Sequence, residues 1–85
     1  MNHFAIPEFW FHYRQLPEET RVLANRCFAT LLDDPRHPSV RLKKIGRFWS
    51  ARVGLHYRAL AWDRSEGLVW FWIGLHDRYE QLIRQ

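Results

Sequence analysis

The stretch from Phe48 to Ile73 reads FWSARVGLHYRALAWDRSEGLVWFWI and decides the fold. It contains three runs rich in aromatic and β-branched residues, which are typical of strands, and turn signals separate these runs. We therefore predict three strands, at 48–53, 57–63 and 68–74. Because the last run is apolar on both faces, we expect it to be a central strand that is covered on both sides.

The rest of the chain predicts a small set of elements around these strands. Helical spacing of apolar residues and Pro-Glu start signals indicate two helices before the sheet. The further elements are a brief strand at 3–6, helices at 8–15 and 17–32, a strand at 40–45 and a short C-terminal helix at 76–84. The expected fold class is α+β, in the order β-α-α-β-β-β-β plus that last helix. The helical hairpin should pack on one face of an antiparallel sheet.

Composition limits the kind of protein this can be. With 85 residues the chain is expected to form one domain, 1–85. The single cysteine, Cys27, cannot form an internal disulfide, which suits a reducing cytoplasm. We expect no signal peptide and no membrane span, since the longest apolar run is 68–75. The net charge of +4 favours a polyanionic partner such as RNA, DNA or an acidic protein.

Strand alternation assigns the side chains to two faces of the sheet. The face expected to carry the helices has Ala51, Val53, Ala59, Ala61, Val69, Phe71 and Ile73. The opposite face is expected to have Ser50, Arg52, Arg58, Leu60, Trp62, Trp70 and Trp72. Large rings next to guanidinium groups indicate a binding surface. We expect the C-terminal helix, a partner, or both to cover part of it.

Basic and aromatic residues suggest a phosphate site on this second face. Arg58 and Arg52 lie on neighbouring strands with the same orientation, and a guanidinium can bind two phosphate oxygens. His76 and Tyr79 follow the last strand and could transfer protons or stack on a base. The alternative is structural, with solvated strand arginines, His76 as a helix N-terminal residue and Tyr79 packed on the sheet. The histidines and Cys27 show no metal-ligand spacing, so no metal or cofactor is expected.

Four segments together resemble the RelE/ParE superfamily of toxins from bacterial toxin–antitoxin modules. They are "F…HYRQLP" in the first helix, "DPRHPSVRLKKI" before the sheet, "WSARVGLHYRALAW" in the middle strands and "WFWIGLHDRYEQLI" at the end. The resemblance extends over nearly the whole chain, and the predicted order of elements looks like that of the family.

The resemblance implies a cytoplasmic toxin that is neutralised by a cognate antitoxin. RelE-type members are metal-independent endoribonucleases that cut mRNA on the ribosome by activating the ribose 2′-hydroxyl. Carried over, Arg58 matches the family's phosphate-binding Arg, and Arg52 matches a basic residue of the preceding strand. His76 occupies a position where members have Arg or His, and Tyr79 is similar to a C-terminal Tyr that stacks or assists proton transfer. One departure is Ser50, which stands where the most active members have a second basic residue.

The resemblance also implies contact surfaces and leaves other functions open. Residues expected to contact RNA are Lys43, Lys44 and Arg47, and those expected to bind the antitoxin are Leu60, Trp62, Trp70 and Trp72. ParE-type members share the fold but inhibit DNA gyrase without a nuclease site. A third possibility is an inactive relative that only binds its antitoxin.

Overall fold

The computed structural model describes residues 2–84, which form a five-stranded sheet and three helices. In chain order the elements are β1 (His3–Ala5), α1 (Pro7–Arg14), α2 (Glu18–Asp33), β2 (Lys43–Ile45), β3 (Phe48–Val53), β4 (Tyr57–Arg64), β5 (Gly67–Leu75) and α3 (His76–Ile83). The predicted α+β class and the order of elements are confirmed. The strand predicted at 40–45 is shorter, because the chain leaves regular strand geometry before Lys43. No helix within residues 2–84 is long and apolar enough to cross a membrane.

The sheet is mixed rather than wholly antiparallel. The strand order is β1-β5-β4-β3-β2, and the three pairs among β2 to β5 are antiparallel. At the other edge β1 runs parallel to β5. Tight hairpins force an antiparallel arrangement on β2 to β5, but no hairpin joins β1 to β5. The direction of β1 is therefore set by the helices and strands that lie between β1 and β5 in the chain. The pattern of residues in the strands alone does not reveal this direction.

The helix-side core lies between α1, α2 and one face of the sheet. Small residues of the central strands, including Ala51, Ala59 and Ala61, are buried there, as the alternation predicts. The other buried members are Leu16, Ala24, Leu31, Val40, Val53, Leu68, Trp70 and Ile73. Small side chains let the helices approach the sheet closely, so the aliphatic helix residues reach the strands directly.

An extra residue in β5 changes the alternation of that strand. Leu60 pairs with Trp72, but its neighbour Ala61 pairs with Trp70, so Phe71 has no partner on β4. This is a β-bulge, in which two residues of one strand oppose a single residue of the other. Residues on the two sides of a bulge no longer follow one alternation, so the faces predicted for part of β5 are reversed.

Three predicted positions in β5 are therefore wrong. Trp70 is in the helix-side core, where it is 3 % exposed, and its indole Nε1–H donates to His3 Nδ1 at 3.0 Å. Phe71 packs on the opposite face, stacked on Trp62 with ring centroids 4.7 Å apart. Val69 is paired with Trp62 and shares its face, since directly paired residues lie on the same side of a sheet.

The C-terminal helix α3 covers the middle of the second face. Leu60 and Trp72 are buried there with Phe48 and with Tyr79 of α3. Gly74 allows this packing, because a Cβ at that position would lie 2.5 Å from the Trp72 ring. The expectation that the C-terminal helix covers part of this face is confirmed, and much of the aromatic surface is used inside the chain.

An apolar cavity of about 100 Å³ lies between α1, α2 and the sheet. Cys27 is on its wall, and burial raises the pKa of the Cys27 thiol. A raised pKa reduces the fraction of reactive thiolate. Cys27 is therefore a packing residue of α2 against the helix-side core.

Protonation of His3 should destabilise the fold at acid pH. Burial lowers the pKa of His3 below its usual 6.5, so the unfolded chain binds this proton more readily than the folded chain. The free energy of unfolding keeps the full contribution of neutral His3 above pH 6.5 and loses it as the pH falls below that value. Urea unfolding is monitored by tryptophan fluorescence at pH values above and below 6.5, and the change of the free energy of unfolding with pH is measured.

The control for this prediction is a pair of glutamine variants. His3→Gln should flatten the acid slope, because the amide cannot take up the proton. His56→Gln makes the same substitution at an exposed histidine, so it shows whether the loss of any histidine would flatten the acid slope. An equal slope in wild type and His3→Gln would contradict the role of His3.

Candidate functional site

Two arginines face each other across the β3–β4 pair. Arg52 and Arg58 are directly paired, both are half-buried, and both lie on the second face beyond the part that α3 covers. Arg52 Nε donates to the carbonyl of Gly54 at 3.0 Å, and Arg58 Nη1 donates to the carbonyl of Tyr57 at 2.7 Å. Like charges in direct cross-strand positions destabilise a sheet, so the pair is a favourable place for an anion.

The electrostatics of Arg58 agree with this geometry. Partial burial, followed by repulsion from Arg52, lowers the pKa of Arg58 below its ordinary value. Arg41 acts in the same direction, whereas Tyr79 and Glu80 act in the opposite direction. Among residues 2–84 neither Arg52 nor Arg58 forms a salt bridge. A bound phosphate would relieve the repulsion between the two guanidinium groups.

His76 stands beside the arginine pair at the start of α3. Its backbone N–H donates to the carbonyl of His56 at 2.8 Å, which fixes the beginning of the helix. Its Nε2 lies 3.3 Å from a carboxylate oxygen of Glu80, one turn further along α3. That carboxylate favours the tautomer with the proton on Nε2, which leaves Nδ1 as the acceptor. The imidazole is partly exposed and can meet a substrate.

Tyr79 is placed in the core rather than at the surface. It is 4 % exposed, and its hydroxyl donates to Ser50 Oγ at 3.3 Å. Ser50 is itself 2 % exposed. The side chain predicted to stack or to transfer protons therefore anchors α3 to β3 in this structure, because α3 folds back over the strand. Ser50 cannot supply a contact to a substrate from this position.

The three side chains expected to contact RNA do not form one group. Lys43 is exposed and pairs with Ser50, so it shares the face of Arg52. Lys44 has the opposite orientation and forms a salt bridge with Asp63 on the helix side of the sheet. The pair register thus separates these two lysines, because neighbouring residues of a strand point to opposite faces.

Arg47 lies at the other end of the second face. It is in the turn before β3, roughly 16 Å from Arg52 at about 3.3 Å per strand residue. Its guanidinium is 5.3 Å from the Phe48 ring centroid and 5.8 Å from that of Trp62. Arg64 approaches the same Trp62 ring at 5.1 Å. This end of the face is a cation–aromatic cluster and not part of the arginine pair.

The residues expected to bind an antitoxin do not form a common surface. Leu60 is fully buried, and Trp72 is 7 % exposed beneath α3. Trp70 faces the helices because of the β5 bulge. Only Trp62 of the four is partly exposed.

Sequence reasoning missed three residues that the fold brings to the arginine pair. Arg41 is close enough to lower the pKa of Arg58, Glu80 contacts His76, and the backbone of His56 holds the start of α3. The i, i+4 spacing of His76 and Glu80 on a predicted helix could have identified that contact. Within residues 2–84, no three His, Cys, Asp or Glu side chains lie close enough together to hold a metal ion.

Tyr79→Phe should be a mild change. It removes only a long hydrogen bond between neutral groups, so we expect a loss of about 0.5–1.5 kcal/mol in the free energy of unfolding. Tyr79→Ala empties a core position and should cost about 3–5 kcal/mol, by analogy with other aromatic truncations. Chemical denaturation measures both values. If Tyr79→Phe had wild-type stability but had lost the RNA cleavage that the resemblance implies, the hydroxyl would be catalytic after all.

Comparisons with known proteins establish the fold of this chain. No family model and no curated protein sequence matches it. A chain of the crystallised RelB–RelE antitoxin–toxin complex from Methanococcus jannaschii superposes with a TM-score of 0.70 at 12 % identity, covering 93 % of this chain and 96 % of that chain. The isolated RelE toxin of E. coli gives 0.61 at 14 % identity, covering 96 % and 94 %. A chain of the E. coli RelBE toxin–antitoxin complex also gives 0.61 at 14 %, covering 86 % and 93 %. The arrangement of three helices on a five-stranded mixed sheet is therefore the RelE fold.

Proposed function

We propose that this chain is the toxin of a bacterial toxin–antitoxin pair and that it cleaves translated mRNA as a metal-independent endoribonuclease. The observation that carries this proposal is the directly paired Arg52 and Arg58 beside His76 at the open end of a RelE-like sheet. A pure protein-binding surface does not require two unneutralised guanidinium groups in adjacent strand positions. A phosphodiester makes use of both, because each of its free oxygens can accept hydrogen bonds from a guanidinium group.

The arginines act on the phosphate that is cut. Attack on phosphorus adds negative charge to its free oxygens as the new bond forms. Two guanidinium groups held by β3 and β4 bind that charge more strongly than they bind the ground state. Because strands fix their positions before the substrate arrives, little reorganisation is needed during the reaction.

His76 acts as the general base for the ribose 2′-hydroxyl. Its Nδ1 accepts the proton of the ribose 2′-hydroxyl, and the 2′-oxygen forms a bond to the adjacent phosphorus. The bond from phosphorus to the 5′-oxygen of the next nucleotide breaks, and that oxygen takes a proton from water. The hydroxide that remains takes the proton from His76, which returns to its neutral form. The products are a 2′,3′-cyclic phosphate and a 5′-hydroxyl. Glu80 orients the imidazole throughout, since it lies 3.3 Å from Nε2.

The partner under this proposal is a cognate antitoxin protein. Two of the structural neighbours are complexes of a RelE toxin with its RelB antitoxin. The site of action is the cytoplasm, where translated mRNA is found. The net charge of +4 favours contact with RNA and with an acidic partner segment.

Arg58→Ala should lower the rate of cleavage by roughly 10²–10³, the usual effect of removing one charge-stabilising donor. The test is induction of the chain alone in a bacterial host, with the 5′ ends of cellular transcripts mapped over the following minutes. New ends inside translated frames are expected for wild type and not for Arg58→Ala. The matched control is Arg26→Ala, which removes the same charge from an exposed position of α2.

The outcome that contradicts the nuclease is a folded Arg58→Ala variant that cuts at the wild-type rate. Circular dichroism of the purified variant verifies that it is folded. Growth arrest by wild type without new 5′ ends would instead indicate a protein target such as DNA gyrase. If wild type caused no growth arrest and produced no new 5′ ends, the result would indicate a chain that only binds its antitoxin.

His76→Gln should lower the cleavage rate by about 10²–10⁴, which is the range for a general base. Glutamine keeps a polar side chain at the start of α3 but cannot accept the proton. The affinity for an uncleavable RNA with 2′-methoxy groups separates chemistry from binding and folding, since it should stay near the wild-type value while the cleavage rate falls. A folded variant that cuts at the wild-type rate would exclude His76 as the base.

A further inference from the structure

Arg41 has an unusual backbone conformation. It is the only non-glycine residue within 2–84 with positive φ, at +43°. L-residues other than Asn, Asp and His rarely adopt this left-handed region, because the Cβ approaches the neighbouring carbonyl oxygen. A glycine would adopt it freely. The presence of an arginine at this position therefore indicates a role for its side chain.

The sheet register explains how this conformation arises. Lys43 pairs with Ser50 in an antiparallel ladder, so a regular continuation would place Arg41 opposite Arg52. The N–H of Arg52 instead bonds to the carbonyl of Val40 at 2.6 Å. One extra residue is therefore accommodated opposite Arg52, where Val40 and Arg41 together form a β-bulge. Val40 is 1 % exposed, so the bulge is fixed by the core.

The bulge extends the arginine pair into a row. Arg41 lies beside Arg52, which is paired with Arg58, and neighbouring strands are about 4.8 Å apart. Arg41 is itself exposed. Its charge also reaches Arg58, whose pKa it helps to lower, after the larger effects of burial and of Arg52. Ser50 is covered by Tyr79 and contributes no charge to this end of the sheet.

We propose that Arg41 is a third phosphate-binding residue, which holds the RNA phosphate next to the one bound by Arg52 and Arg58. This rests on the proposed function and deepens it, since it assigns a substrate contact outside the two central strands. The bulge brings Arg41, in the loop before β2, close enough to the arginine pair for its charge to act on Arg58. Arg41 binds and orients the strand, whereas Arg58 stabilises charge at the reacting phosphorus.

The variant Arg41→Gly separates this role from a structural one. Glycine removes the charge and also relieves the left-handed strain, so the melting temperature should rise or stay unchanged. If Arg41 had only a structural role, Arg41→Gly would be at least as stable as wild type and would bind RNA with the wild-type affinity. Arg41→Gln serves as a second variant, because it keeps an L-residue in the bulge and removes only the charge. Arg26→Ala is the matched control for loss of one positive charge.

The measurement is the binding of a short single-stranded RNA with 2′-methoxy groups, which cannot be cleaved through the 2′-oxygen. Fluorescence anisotropy at several salt concentrations gives the affinity and its salt dependence. Arg41→Gly and Arg41→Gln should each bind about tenfold more weakly, and the slope of log affinity against log salt should fall by about 0.7, the value for one contact to a single strand. In cleavage assays KM should rise and kcat should change little, in contrast to Arg58→Ala.

The results separate this inference from the nuclease proposal. Weaker binding by both Arg41 variants supports the arginine row even if wild type cuts no RNA, in which case only the proposed chemistry fails. Unchanged affinity and salt slope in both variants overturn the role of Arg41, even if Arg58→Ala abolishes cleavage. Failure of wild type to bind the oligonucleotide at low salt overturns it as well.

Discussion

The unpaired residue Phe71 determines which aromatic side chain lies on which face of the sheet. Without the extra residue, Trp70 and Trp72 would point to the same side. With it, Trp70 enters the helix-side core and bonds to His3, while Trp72 packs under α3. One indole thus attaches the edge strand β1 and the other supports the C-terminal helix. Both layers of the molecule depend on this single change of alternation in β5.

The same arrangement keeps the arginine pair rigid and open. The strands place Arg52 and Arg58, and strands hold side chains more accurately than loops do. Tyr79 anchors α3 in the core, so His76 at the beginning of that helix has a fixed position relative to the pair. The aromatic core and the polar site are therefore two ends of one packing unit. Repulsion between the arginines is tolerated because buried contacts along the rest of the face compensate for it.

Much of the fold could be predicted from the sequence, since periodicity and turn residues mark the helices and strands directly. The boundaries of β3 agree with the pattern, and the alternation correctly placed Ala51, Ala59 and Ala61. The bulge could not be predicted, because one extra apolar residue in an apolar run leaves no mark in composition. The parallel direction of β1 was hidden for a different reason, as no short turn connects it to its partner.

The candidate site was predictable only in part. Arg52 and Arg58 followed from two strands separated by a tight turn, and that prediction needs only local register. The burial of Tyr79 depends on how α3 turns back, which is a tertiary property. Lys44 pairs with Asp63 two strands away, and spacing along the chain gives no sign of this contact. Local chemistry was thus readable from the sequence, but the partners that complete or neutralise it were not.

The two edges of the sheet have a consequence for self-association. Both β1 and β2 have only 3 residues, and β2 has two exposed lysines next to each other. An incoming strand from another copy would find few free backbone groups and would have to place its side chains against positive charge. The long apolar strand β5 is paired with β4 from Gly67 to Leu75 apart from Phe71, and β1 covers its other edge at Leu68, Val69 and Trp70. Folding thus pairs the first part of this aggregation-prone segment on both sides, while the short, charged outer strands oppose edge-to-edge growth of the native sheet.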